Sequence, residues 1–456
     1  MAKTRSTTTG QADRAWRWAI LAFLMTISFA LYVQPGWEPA YQDQADYLEL
    51  THALAARGEF TRAPAGEPFI AESYRRPGYP LFLATLCRTV GCGHWSIAIA
   101  QAGLYAALVL LTYRVAAQVA HGPPLLATAL VALYAPIAYY AALALSEMLA
   151  AFLIIAAAAL YLRARTGGAA WAFAAGATCG FLALTRPVFT LVPAVFIVAE
   201  ALARPAFAPG VLRRSAALLL GAALLIGPFV GYSVAHFGTA PVGTTGNLRL
   251  LGYLQGKLSG AGADTRPLRE AALAGATDPT LVEVGRRSGL DPVESIEVAG
   301  SFRDIAVFEA TEGRARIAAH VTLDDQLGAR ADRLIAHDPL GFALRGLTVR
   351  TPALWAADAP AYQLGNVLPL ALISVEGVAF LGAVAGSLLL ARSRALPALL
   401  VAGVLLYVWL LSIPFYTEGR YAVPVRSFMA IALLPVFVRL GSSVRRWRER
   451  RRPITA

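Results

Sequence analysis

The chain has 456 residues, 57% of them hydrophobic and 15% charged, with a mean hydropathy of +0.55. A soluble domain of this size needs far more charge to cover its surface, and several apolar runs reach the roughly 20 residues that cross a hydrocarbon core. The net charge of +12 does not point to nucleic acid, because the basic residues gather at particular segment ends.

The N-terminus is basic and then apolar. Its run from Trp16 to Val33 is long and aromatic and lacks a small-residue cleavage site, so it reads as a retained first helix. Ten spans fit the apolar runs, at 15–33, 94–119, 123–141, 144–163, 168–185, 187–203, 213–234, 366–391, 395–413 and 421–440. Two polar segments, 34–93 and 235–365, interrupt them. The expected class is an all-α polytopic membrane protein. Its expected parts are a transmembrane core over 1–234 that includes the catalytic loop 34–93, an extracytoplasmic subdomain over 235–365, the last three spans over 366–440, and a basic tail over 441–456.

Orientation follows from charge. The span ends on one side carry 19 basic residues against three acids, Asp13, Glu200 and Glu449, while the other side holds 21 basic residues and 25 acids. That asymmetry places both termini in the cytoplasm, and the expected location is a bacterial inner membrane. The tail, Arg445 to Arg452, is either a topology anchor or a contact for anionic membrane lipids.

The polar residues that could carry chemistry then share the extracytoplasmic side. Asp43 and Asp46 follow span one, and Arg75 and Arg76 end the same loop. Ser146-Glu147 opens span four, Thr185-Arg186-Pro187 joins spans five and six, and Tyr416 to Tyr421, with Glu418 and Arg420, joins spans nine and ten. Each residue has a plain reading too. Asp43 could cap the amphipathic stretch of Tyr47, Leu50 and Leu54, Glu147 could be an interfacial acid, and Arg186 could snorkel to headgroups. Glu376, in or near span eight, is an ionisable residue at membrane depth.

Other chemistries find little support. Cys87, Cys92 and Cys179 have no metal-ligand spacing, although the first two could pair in an oxidising compartment, and the six histidines are scattered. No Gly-rich loop suits a nucleotide. A carboxylate that accepts a hydroxyl proton, with arginines that hold a departing phosphate, suits sugar transfer from a lipid phosphate at the membrane surface.

In this setting the chain resembles the GT-C superfamily, specifically the branch of protein O-mannosyltransferases and the aminoarabinose transferase of lipid A. The resemblance rests on Asp43-Gln44-Ala45-Asp46-Tyr47, Arg76-Pro77-Gly78-Tyr79-Pro80, Ser146-Glu147, Gly180 to Pro187, Gly246-Asn247-Leu248 and Glu418 to Pro424, in order over residues 15 to 440. It implies an inverting glycosyltransferase that moves a hexosyl or pentosyl unit from a polyprenyl-phosphate donor. By position Asp43 is the catalytic acid, with Asp46 its competitor, and Glu147 orients the acceptor or steadies an arginine. Arg75, Arg76, Arg186 and Arg420 are implied to bind the donor phosphate, while Tyr47, Tyr79, Glu418 and Tyr421 shape the pocket. A divalent metal occurs in part of the superfamily and is left open by these residues.

The chain departs from the family in showing neither a large soluble C-terminal domain nor a β-trefoil insertion, which favours a cell-envelope glycan or lipid acceptor over a protein. Two other readings stand beside this one. A carrier or flippase for a lipid-linked saccharide would use polar groups near mid-membrane, and an O-antigen-ligase-like transferase would need a loop with Arg and His.

Overall fold

The computed structural model describes residues 2–33, 42–203, 209–238, 245–258, 264–311, 315–355 and 367–450, and among them the regular structure is helical. The first half runs α1 (Ala2–Val33), α2 (Gln42–Arg57), α3 (Gly78–Val90), α4 (His94–Val119), the pair α5 (Pro124–Ala132) and α6 (Ala135–Ala141), α7 (Glu147–Gly167), α8 (Ala169–Thr185), α9 (Val192–Ala203) and α10 (Pro209–Phe237). A run of mostly shorter helices follows: α11 (Thr245–Leu258), α12 (Arg266–Leu273), α13 (Asp278–Arg287), α14 (Pro292–Glu309), α15 (Ala315–His337), α16 (Pro339–Arg345), a π-helical turn (Gly346–Arg350) and α17 (Thr351–Trp355). α18 (Val367–Arg392), α19 (Leu396–Ser412), a 3-10 turn (Gly419–Val425) and α20 (Arg426–Arg450) complete the order.

Six helical segments are long and apolar enough to cross a membrane, the pair α5–α6 makes a seventh, and three apolar segments of 17 residues or fewer add to them. These occupy the ten expected span positions, so the chain is a multi-pass helical membrane protein. One main core of Ala, Leu, Ile, Val and Tyr side chains links them. The segment from α11 to α16 has separate small cores, one around Leu250, Tyr253, Leu327 and Phe342 and one around Leu268, Leu281 and Val298. The start of span eight at residue 366 and the tail beyond residue 450 lie outside the described residues.

Two features depart from the expected pattern. The span at 123–141 is bent by 54° between α5 and α6, where Pro136 cannot donate a backbone hydrogen bond. Tyr105 of α4 donates its hydroxyl to the Val131 carbonyl at this bend (2.7 Å). Residues 78–90, expected within a polar loop, form α3, a 13-residue helix too short to span a bilayer. It is fastened at both ends. Gly78 packs so closely on α8 that a Cβ there would lie 2.6 Å from the Leu184 carbonyl carbon and the Thr185 nitrogen. Arg88 donates to the Leu54 and Ala55 carbonyls at the end of α2 (2.8 and 3.0 Å), and a disulfide joins Cys87 to Cys92.

Glu376, the acid in span eight, is buried. It accepts a hydrogen bond from Tyr134, at the α5–α6 bend, and faces Arg426 at 3.3 Å. It is a paired charge that ties α18 to α20.

Candidate active site

α2 is amphipathic because Tyr47, Leu50 and Leu54 recur at helical spacing and are buried. That face fixes the helix, and its first turn presents Asp43 and Asp46 to the arginines that end the loop. Asp43 Oδ1 accepts from Arg75 Nη2 at 2.6 Å, and its Oδ2 accepts from Arg420 Nη1 at 2.9 Å. The two partners lie 32 and 377 residues away in the chain.

Asp46 takes two bonds from Arg75 on one oxygen (2.7 and 2.9 Å) and one from Arg62 on the other (3.0 Å). Arg62 also donates to Glu72 (2.6 Å). Glu72 in turn accepts from the backbone N–H groups of Tyr74 and Arg75 (2.6 and 2.8 Å), which sets the turn that carries Arg75.

On the far side Arg420 donates from Nε to Glu418 (2.5 Å), and its Nη1 lies 3.8 Å from Glu147. Glu147 opens α7, is 2% exposed, and stands 2.8 Å from Arg186 Nη1. Its second carboxylate oxygen has no hydrogen-bond partner among the described residues. The guanidiniums of Arg186 and Arg420 both sit over the Tyr421 ring, at 5.1 and 5.3 Å. The result is an alternating row, Arg186, Glu147, Arg420, Asp43, Arg75, Asp46, Arg62 and Glu72, with Glu418 attached at Arg420.

This pairing acts on protonation. Burial alone would raise the Asp43 carboxyl, yet Arg75 and Arg420 together hold it below the usual carboxylate range. Burial would lower Arg75, but the tyrosine and aspartate groups around it push it up. Arg76 differs. Its guanidinium lies over Phe229 of α10 at 4.9 Å, no carboxylate among the described residues pairs with it, and burial lowers it to about 10.

The tyrosines play unequal parts. Tyr47 lies edge-on to Tyr79 (4.9 Å), reaches Ser146 Oγ with its hydroxyl (3.4 Å) and carries Arg75 over its ring at 5.3 Å. Tyr79 is wholly buried and points to Gln101, so it supports Tyr47 from behind instead of facing the cavity. A cavity of about 820 Å³ opens beside Asp43, Asp46 and Arg75, and is closed on its other side by Ile305, Phe308 and Leu323 of α14 and α15.

Arg62, Glu72 and Ser73 escaped the sequence reading because they stand in no motif, and the one available signal was charge in a loop beside a bilayer. His320 escaped it as an isolated histidine. It hydrogen-bonds Ser73 (2.9 Å) and lines the cavity, joining the first loop to α15.

A divalent metal does not fit this arrangement. Asp43 and Glu418 are paired directly with the Arg420 guanidinium (2.9 and 2.5 Å), and Glu147 lies between Arg186 (2.8 Å) and Arg420 (3.8 Å). Among the described residues no group of three or more His, Cys, Asp or Glu side chains is placed to hold an ion. The cation at the centre of the site is an arginine.

No protein-family model and no curated protein sequence matches the chain. Solved structures do. The archaeal oligosaccharyltransferase AglB from Archaeoglobus fulgidus, in complex with an inhibitory peptide and a dolichol-phosphate, aligns with 97% of this chain at 14% identity and a TM-score of 0.51. The same organism's oligosaccharyltransferase tethered to an acceptor peptide aligns with 95% at 14% identity and a TM-score of 0.50. ArnT from Cupriavidus metallidurans bound to undecaprenyl phosphate aligns with 92% of this chain and 78% of its own, at 16% identity and a TM-score of 0.39. The chain spans about half the length of the two oligosaccharyltransferases, 52% and 50%. The fold is therefore the GT-C fold expected from the sequence.

Proposed function

We propose that the chain is an inverting glycosyltransferase that moves a sugar from a polyprenyl-phosphate donor to a hydroxyl of a cell-envelope glycan or lipid, on the extracytoplasmic face of the membrane. The observation that carries this reading is the Asp43 carboxylate held between Arg75 and Arg420 (2.6 and 2.9 Å), at the end of a cavity in a GT-C bundle.

In the resting arrangement Asp43 is ionised and a weak base, because both its oxygens are engaged. A donor phosphate competes for the same guanidiniums, which bind phosphate as they bind carboxylate. As Arg420 and Arg75 turn to the phosphate, with Arg76 free to join them, Asp43 loses the partners that depress it. It then accepts the proton of the acceptor hydroxyl. The acceptor oxygen forms its bond to the anomeric carbon from the face opposite the phosphate. The carbon–oxygen bond to phosphate breaks with its electron pair left on the phosphate, where the arginines hold the charge. Attack in line inverts the anomeric centre.

The dolichol-phosphate named in the neighbouring oligosaccharyltransferase structure suggests the donor class. The Cys87–Cys92 disulfide agrees with an oxidising compartment next to the first loop. The carrier reading loses its main support, since Glu376 is paired with Arg426 and Tyr134.

The test is transfer of labelled sugar from polyprenyl-phosphate donors in proteoliposomes, wild type against Asp43→Asn. The expected result is transfer by wild type and a loss of at least about a hundredfold in the variant. A stably folded Asp43→Asn protein with full activity would remove Asp43 from the chemistry.

A further inference from the structure

Arg350 ends the π-helical turn and is 0% exposed. It has no carboxylate partner among the described residues. Its guanidinium donates to three backbone carbonyls instead: Nε to Ile413 (2.7 Å), Nη1 to Gly252 (2.7 Å) and Nη2 to Phe342 (2.8 Å). It stacks on the Phe342 ring at 4.2 Å. Burial and the neighbouring Arg345 lower it to about 10, so it stays charged at neutral pH.

A buried guanidinium is costly unless its donors are satisfied, and these three carbonyls belong to α16, to α11 and to the segment that follows α19. That last segment leads to Arg420. Further fastenings of this segment come from α11 and from Arg350 itself. The Tyr416 N–H donates to the Leu248 carbonyl (2.9 Å), and the Thr417 N–H donates to Gln255 Oε1 (3.1 Å). Gln255 Nε2 donates to the Thr417 carbonyl (2.7 Å), and Thr417 Oγ1 donates to the carbonyl of Arg350 itself (3.0 Å). At Gly252 a Cβ would lie 2.6 Å from the Phe415 carbonyl carbon and 2.7 Å from the Tyr416 nitrogen, so the chain lies flat on α11 there. α11 and α15 share a core through Leu250, Tyr253, Leu323 and Leu327, and Asn247, Leu323 and Leu327 line the cavity beside Asp43.

We infer that Arg350 is a positioning residue for the transfer reaction: by gripping α11, α16 and the segment at Ile413 together, it sets the reach of Arg420 toward Asp43 and the donor phosphate. The same grip registers the acceptor side of the cavity against the phosphate side. This inference rests on the proposed function, although its structural half can be read without any activity.

The experiment uses the full chain in nanodiscs and the variants Arg350→Met, Arg350→Lys and Thr417→Val. Hydrogen exchange at the Tyr416 and Thr417 amides, thermal melting and transfer kinetics are measured together. In Arg350→Met these amides should exchange at least about tenfold faster, and the donor KM should rise about tenfold with a smaller change in acceptor KM. Arg350→Lys should restore part of both, and Thr417→Val should shift both in the same direction by about threefold. If Arg350→Met does not fold, the other two variants decide. Wild-type exchange at both amides in folded variants overturns the inference, and so does faster exchange with unchanged kinetics. A wild-type protein that transfers no sugar would overturn the proposed function, while the exchange data would still decide whether Arg350 holds this segment.

Discussion

Replacing Arg420 with lysine keeps the charge and removes the fork. The arginine donates from Nε to Glu418 (2.5 Å) and from Nη1 to Asp43 (2.9 Å), with Glu147 at 3.8 Å from the same nitrogen. A lysine on the same backbone has one nitrogen and cannot reproduce two donors on separate nitrogens in a fixed plane. One charge-assisted hydrogen bond is therefore lost, worth about 1.5–3 kcal/mol in a site this buried. If that loss falls on the phosphate in the transition state, kcat/KM drops by roughly 10- to 100-fold. The assay is initial-rate transfer of labelled sugar in proteoliposomes, with size-exclusion profiles and melting curves to confirm folding. A folded Arg420→Lys protein within about twofold of wild type, where about tenfold or more is expected, would refute the claim that the fork is used.

Other outcomes follow from the same geometry. The Asp43 carboxyl is held below its usual range, so its pairing stabilises the fold above the unfolded value near about pH 4 and is lost as pH falls through the lowered folded value. The gap in melting temperature between wild type and Asp43→Asn should thus be present at neutral pH and close in acid; a gap that widens in acid would contradict the pairing. Gly78→Ala pushes a methyl to within 2.6 Å of the Leu184–Thr185 backbone and should cost about 1–3 kcal/mol, read as a lower melting temperature together with reduced transfer. Because Arg420 takes the acids a metal would need, transfer should survive EDTA, and activity lost to EDTA but regained with Mg²⁺ or Mn²⁺ would count against that view.

Much of the fold was legible because hydropathy reports burial in lipid one helix at a time. α4, for example, occupies the residues expected for its span, 94–119. α3 was not legible, since 13 residues with a half-apolar face look like loop until packing against α8 is known. The α5–α6 bend left only Pro136 as a clue. At the site, residue types could be read but not pairings. Asp43 and Arg420 are 377 positions apart, and nothing local says that they touch. Arg62 and Glu72 carry no motif, yet they hold Arg75 in place. Tyr79 matched a motif and lies behind the site, where a buried aromatic supports Tyr47.

The bend between α5 and α6 bears on what this bundle can do mechanically. Alternating access needs a place where helices flex, and an interrupted helix is a ready hinge. Here the interruption is clamped from three sides. Tyr105 of α4 ties up the Val131 carbonyl (2.7 Å), and Tyr134 is bonded to Glu376 of α18, which faces Arg426 at the start of α20. Arg426 also donates to the Trp355 carbonyl at the end of α17 (3.0 Å). Opening the hinge would strand a carbonyl and two charges in a low-dielectric interior. The bend is thereby tied at once to α4, α18, α20 and α17, and flexing it would break all of these ties together.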